Sequence, residues 1–434
     1  MTNSTGPSAG DEFEVRVERG IYRGLGLARH EGRVVFVPRG LPGDRVRVRV
    51  TSTSRGFLRV APVARLEGGH GRRVSPCAVS DSCGGCAYQD LDYPGQLELK
   101  EGILRESLAR AGASFEGEIP MTLSPEQGWR TRASLHLAPG PEGLRLGLHE
   151  EGSHRLVEFD PCLQLSPAMN AAVKALKRAL EVRPKVGSRV ATIDVAESPD
   201  GDERVVAVSG NLRAEDGPAL SAAGAEVAGL TGLGFWRERR GHRDFLLARG
   251  DPNVHATVLS RRLRSHVASF FQANRYLVEG LTQAVVEMVP AGGRVLDLYC
   301  GVGLFSIPLA ARGDEVLGAE ISESAVFDAS ANGRDLATAR FWRADVGEAL
   351  SRWPREGTEH IVLDPPRAGA GPKVVAAVAA RRPAVVVYVS CDPPTLGRDL
   401  AEFARLGLRP ERVRAFDMFP NTFHLETLVR LVPA

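Results

Sequence analysis

The chain lacks a charge imbalance, a long apolar run and an abundance of cysteine, and each lack removes a class of function. Lysine plus arginine number 55 against 53 for aspartate plus glutamate in 434 residues, so a protein coated all over with positive charge for nucleic acid is excluded. Any such contact must be local. The longest apolar run, 295–310, is interrupted by Asp297 and two glycines, and no basic and apolar leader opens the chain. A soluble, cytoplasmic protein with no membrane contact is expected. Of six cysteines, Cys77, Cys83 and Cys86 crowd into one short segment, which suits metal ligation in a reducing compartment better than a disulfide framework.

The length predicts two or three domains. Residues 1–10 are small and polar and are expected to be disordered. From 11 to 65 short strand patterns ("FEVRVE", "RVVFVP", "RVRVRV") alternate with glycine turns and predict a small β-barrel of the oligonucleotide-binding type. In "RVRVRV" valines face one way and arginines the other; the arginines read as a solvated strand face before they read as phosphate contacts. Residues 66–265 predict a central α+β domain that contains the cysteines, with a helix near 93–112 that is a candidate to pack on the catalytic domain. From 266 to 434 strand and helix alternate, which predicts a Rossmann-like, doubly wound sheet with ligands at the carboxyl ends of its strands. No internal repeat is present.

"VLDLYCGVGLF" runs a strand into an acid and a Gly-x-Gly turn. Position 306 is serine, so the dinucleotide spacing is not met, and an adenosine plus amino-acid ligand fits better than a pyrophosphate. Glu320 closes the next strand, where a carboxylate can bind both ribose hydroxyls, and Asp345 ends the third, placed to meet an adenine edge. Each acid alone could cap the following helix. Together at successive strand ends they point to S-adenosylmethionine.

Cys77, Cys83 and Cys86 form C-x5-C-G-G-C, with Cys162 the nearby candidate for a fourth ligand. Four thiolates suit zinc or an iron–sulfur cluster, and the spacing does not choose between them. Cys391 in "VVVYVSCDPPTLGRD" follows a fully apolar strand, and Asp364 in "LDPPR" follows another, so both face the mouth that holds the cofactor. A thiol there points to covalent catalysis, in which its addition to a pyrimidine makes another ring carbon nucleophilic. Glu426 in "FPNTFHLE" can then remove a proton, with His424 as its competitor.

"FFQAN", "LDLYCGVG", "LDPPR", "VSCDPPTLGRD" and "HLE", in that order, resemble the RNA uracil-5-methyltransferases. The first domain resembles a TRAM domain, and the cysteines resemble the four-iron, four-sulfur site of the ribosomal RNA members. The resemblance implies Cys391 as nucleophile and Glu426 as proton acceptor. It implies cofactor contacts from Gln272, Tyr299, Glu320 and Asp364, with Phe270 or Phe271 stacking on the base. It also implies a 4Fe-4S cluster rather than zinc on the four cysteines, RNA as partner with ribosomal RNA ahead of transfer RNA, and no obligate protein partner. Three positions depart from the family: Asp392 stands where asparagine is usual, Asn421 where histidine is, and Leu304 where asparagine is. Asp392 is expected to turn away from the thiol or to bond backbone amides. "GHGRR" (69–73) and "SRRLRSH" (260–266) are candidates for phosphate contacts or for solvated charge. Rival readings are a methyltransferase of cytosine or a small molecule, and a noncatalytic, cluster-bearing RNA-binding protein.

Overall fold

The computed structural model describes residues 6–239 and 241–434. Its first sheet has six strands in the order Glu12–Arg16, Arg45–Ser54, Phe57–Glu67, Arg33–Pro38, Leu25–His30 and Arg19–Ile21. Val46, Val48 and Val50 are buried while Arg47 and Arg49 are exposed, as a period of two requires. The sheet curls around Val15, Val17, Val35, Val48 and Leu58. The two edge strands do not pair with each other, so the expected closed barrel is a curled sheet. A neighbouring helix, Tyr93–Arg110, packs over the short edge strand: a Cβ at Gly20 would collide with the Leu99 side chain, and covering an edge replaces pairing it. Part of the segment expected to be disordered, residues 1–5, lies outside the described residues. Gly10 is bonded to Val50 and Ser8 to Asp11, so ordered chain begins before residue 11.

The central sheet has seven strands, beginning at the edge with Leu156–Glu158, Gly143–His149 and Arg132–Gly140. Val190–Glu197, Arg204–Gly210, Gly232–Arg239 and His242–Gly250 follow. Helix Pro167–Glu181 covers one face, starting at Ser166, whose side chain accepts from the Met169 amide, with proline in its first turn, the arrangement that favours helix initiation. Its Met169, Val173, Leu176 and Leu180 pack with Ile193, Val195, Val206 and Val208. The hairpin Asn253–Val258 and Arg261–His266 packs with both sheets, through Ala256, Val258 and Leu263 on the C-terminal one and through Val254 on the central one.

The C-terminal sheet runs Ala339–Arg343, Glu315–Glu320, Arg294–Leu298, Glu359–Leu363, Val385–Ser390, Glu426–Pro433, Leu408–Phe416, with Met121–Thr122 at its edge. The first five strands are parallel, and Glu426–Pro433 runs antiparallel to Val385–Ser390. Val385–Ser390 is buried at every position, as expected of a strand covered on both faces. The strand order reverses between Arg294–Leu298 and Glu359–Leu363, and a crevice opens at such a point. Leu104 and Leu108 of helix Tyr93–Arg110 enter this sheet's core. Among the described residues no helix is long and apolar enough to cross a membrane.

Candidate active site

Cys391 and Glu426 meet because of strand register. Ser390 pairs with Thr427 across two antiparallel strands, which brings the adjoining Cys391 and Glu426 to the same end of the sheet, close enough for Glu426 to act electrostatically on the thiol. Asp364 lies one residue beyond Glu359–Leu363, and its Oδ2 accepts from the Gln272 Nε2 at 3.3 Å. Asp297, inside Arg294–Leu298, is fully buried and accepts from the Ser306 hydroxyl. Tyr299 follows that strand at φ 66°, an uncommon conformation for a non-glycine residue that marks a held turn. Gln272, Tyr299, Asp364 and Phe270 line one narrow cleft.

The acids of this site are crowded away from water. Burial pushes Asp297 up to about 7, and burial followed by repulsion from Asp297 pushes Asp364 up to about 7. Glu426 is held well above the usual carboxylate range by burial and then by Asp364, with Arg367 opposing. Burial pushes the Cys391 thiol up to about 12, Glu426 adds to the rise, and Arg367 again opposes it. His424 is pushed down to about 4 by burial and by Arg367. A site that disfavours negative charge to this degree favours the arrival of a cation. Among the described residues no hydrogen-bond donor reaches two buried acceptor oxygens, Gln272 Oε1 and Asp297 Oδ1, and buried polar atoms are ordinarily satisfied.

Glu320, at the end of its strand, accepts from the Ser322 amide at 2.7 Å and the Gly301 amide at 3.3 Å, so it braces the Gly-x-Gly turn. Asp345 caps the helix Val346–Arg352 through the Glu348 amide, the ordinary structural use of an acid at that place. Of the two phenylalanines, Phe270 is 69% exposed and Phe271 is buried in the core, leaving Phe270 available to a base.

Asp392 is 8% exposed and both its oxygens are occupied: Oδ1 accepts from the Thr395 amide and Oδ2 from the Tyr22 hydroxyl. Asn421, at φ 65°, is a junction. Its backbone oxygen accepts from the Ala87 and Tyr88 amides, and its own amide donates to Gln96. Lys100 pairs with Asp417 with both side chains fully buried, and also donates to the Phe419 carbonyl. The loop before Glu426 is therefore clamped to the segment after the cysteines.

Cys77, Cys83, Cys86 and Cys162 line one cavity with Gln89, Arg130 and Phe159. Gly85 N–H lies 3.4 Å from the Cys83 sulfur and Gln89 Nε2 3.5 Å from that of Cys86. A Cβ at Gly84 would come within 2.8 Å of the His149 oxygen, and one at Gly85 within 2.9 Å of Leu148, so the turn demands its glycines. Among the described residues no three His, Cys, Asp or Glu converge as ligands of a single ion.

The arginine runs are not free cations. Arg72 pairs with Asp44 and Asp90, Arg73 with Glu126, Arg261 with Asp335, Arg262 with Glu203 and Arg264 with Asp328. Arg45, Arg47 and Arg49 pair with Glu12, Glu14 and Glu67. In each case a carboxylate brought in from another part of the chain occupies the guanidinium, which a linear motif does not show. Tyr22 left no signal in the sequence, and Arg367 stood inside "LDPPR" without a role drawn from it.

The chain is similar to known proteins over nearly its whole length. Residues 8–60 match the TRAM domain, and residues 254–345 and 347–433 match the family described as tRNA (Uracil-5-)-methyltransferase. An uncharacterized RNA methyltransferase of Thermosynechococcus vestitus is 32% identical, covering 97% of this chain and 98% of its own. The 23S rRNA (uracil(1939)-C(5))-methyltransferase RlmD of Pseudomonas aeruginosa is 33% identical over 96% of this chain and 94% of its own. The crystal structure of the Pyrococcus abyssi tRNA (uracil-54, C5)-methyltransferase in complex with S-adenosyl-L-homocysteine superposes with TM-score 0.75 at 26% identity. It covers 96% of this chain and all of that one. The chain belongs to the S-adenosylmethionine-dependent RNA uracil-5-methyltransferase family.

Proposed function

We propose that the protein methylates carbon 5 of a uridine in 23S ribosomal RNA through a covalent bond between Cys391 and carbon 6 of the base. The observation that carries the reading is the pairing of Ser390 with Thr427, which brings the adjoining Cys391 and Glu426 to the mouth of the sheet, where Glu426 acts on the Cys391 thiol and Asp364 on Glu426. Cys391, deprotonated to the thiolate, adds to carbon 6, and the ring becomes an enolate whose carbon 5 is nucleophilic. S-adenosylmethionine, when bound, supplies an electrophilic methyl group for that carbon. Glu426 then takes the proton from carbon 5, and elimination frees the Cys391 sulfur. Glu426 is held high and His424 is held down to about 4, so the glutamate, once ionised, is the stronger base of the two. Arg367 favours the thiolate electrostatically.

Gln272, Tyr299, Glu320 and Asp364 would hold the cofactor, with Asp345 near its adenine. The unpartnered Gln272 and Asp297 oxygens fit a ligand that brings donors and positive charge. The four cysteines would hold a 4Fe-4S cluster. Amide donors on two sulfurs and a cavity shared by all four support this. The cluster would brace the loop that Ala87 and Tyr88 tie to Asn421, since none of the proposed steps transfers an electron.

Ribosomal RNA is favoured by the Pseudomonas relative; transfer RNA is the second reading, favoured by the Pyrococcus structure. The test is to incubate the anaerobically purified protein with each RNA, lacking the modification, and quantify 5-methyluridine by nucleoside mass spectrometry. Product in 23S ribosomal RNA alone supports the first reading, product in transfer RNA alone the second, and product in neither contradicts both.

A further inference from the structure

Between the cysteine turn and the loop before Glu426 lies a second cleft of about 350 Å³, within the size range of small-ligand sites, roughly 300–1,000 Å³. We propose that this cleft holds a nucleotide of the RNA strand next to the target uridine, its base stacked against Phe423 and His149 and its phosphate met by Arg130 and Arg367. The proposal rests on the reading of the protein as a uridine methyltransferase.

Position comes first. His424 and Arg367 line the cleft, and Arg367 acts electrostatically on both Cys391 and Glu426, so the cleft adjoins the place where the target base must sit. A neighbouring nucleotide is tethered to that base by one backbone step. Charge comes second. Arg130 and Arg367 have no carboxylate partner among the described residues, whereas the arginines of 69–73 and 260–266 are all paired. Two unpaired guanidiniums facing one cleft are complementary to a phosphate.

Shape comes third. The His149 ring is held flat by stacking on His136 with centroids 3.7 Å apart. Phe423 is braced by His424 at 4.3 Å and by the edge of Tyr22 at 5.3 Å. Held aromatic planes are what an unstacked base needs, and stacking accepts any base. The cleft is thus assembled from three parts of the chain: the first sheet braces Phe423, the cysteine turn forms one wall, and the catalytic loop forms the other.

The test traps 5-fluorouridine-containing RNA on the full-length, cluster-loaded protein with S-adenosylmethionine, then irradiates the complex with ultraviolet light and maps cross-linked peptides by mass spectrometry. The expected result is a cross-link from the nucleotide adjoining the trapped base to the peptide carrying Phe423 or to that carrying His149. A parallel arm places an abasic nucleotide at that position. It should raise KM about tenfold for the wild-type protein with little change in kcat, and less than twofold for His149→Ala, which has already lost the stacking plane. Cross-links confined to other surfaces, or an abasic penalty equal in both proteins, would overturn the assignment. Failure to form any adduct would instead overturn the uridine reading, and the cleft with it.

Discussion

The Tyr22 hydroxyl donates to Asp392 Oδ2 at 2.8 Å, joining the first sheet of the chain to the residue that follows Cys391. With Thr395 N–H on the other oxygen, the carboxylate is held by two donors. Tyr22→Phe removes one of them and frees the Asp392 charge to approach the thiol, which raises the thiol pKa. Iodoacetamide should then alkylate Cys391 several-fold more slowly at pH 8 than in the wild type, and methylation should slow about tenfold, as expected for losing a hydrogen bond to a charged group. Adding Asp392→Asn should restore both rates, because no charge remains to be held.

Glu426→Gln should separate the two halves of the reaction. Cys391 can still add to the base, but no carboxylate takes the proton from carbon 5, so elimination stalls. Ordinary RNA should accumulate as a denaturation-resistant adduct, visible as a shifted band on a denaturing gel, while turnover falls at least a hundredfold. Cys391→Ala should give neither adduct nor product yet bind S-adenosylhomocysteine with unchanged affinity by calorimetry.

In the cofactor-free protein the stability contributed by Asp297 and Asp364 should fall as pH rises from about 4 to about 7. Asp297 and Asp364 are raised to about 7 in the fold, so over that range these two groups hold more protons in the native state than in the unfolded one, and their contribution falls with pH, against that of His424, which is held low. Asp297→Asn, which can still accept from Ser306, should flatten this slope in melting curves taken across that range. S-adenosylmethionine should raise the melting temperature most at the alkaline end, where the acids are ionised.

Lys100→Ala leaves Asp417 buried without its cation and should cost about 3–5 kcal/mol, seen as a lower melting temperature. The same change releases the Phe419 carbonyl, so methylation should fall further than stability alone accounts for at a temperature where the variant is folded.

Much of the candidate site was legible because its residues sit at strand ends, where an apolar run gives way to an acid, a glycine or a thiol: Asp297, Glu320, Asp364, Cys391. Periodicity does not show contacts between distant segments. The Lys100 and Asp417 pair, the Asn421 junction and the Tyr22 hydrogen bond each join segments some 300 residues or more apart. For the same reason "GHGRR" and "SRRLRSH" read as available charge, although folding supplies each arginine with a carboxylate. Asp345 shows the opposite case, a residue whose local signal fits both a cap and a ligand contact, and which the fold uses at least as a cap.

The most direct test of the covalent mechanism is mass spectrometry of the protein after incubation with 5-fluorouridine-containing ribosomal RNA and S-adenosylmethionine. Fluorine at carbon 5 cannot leave as a proton, so the base should stay bonded to the enzyme after methyl transfer. The account predicts a nucleotide adduct of methylated 5-fluorouridine on the peptide containing Cys391. An adduct on another residue, or free methylated product with no adduct, would contradict it.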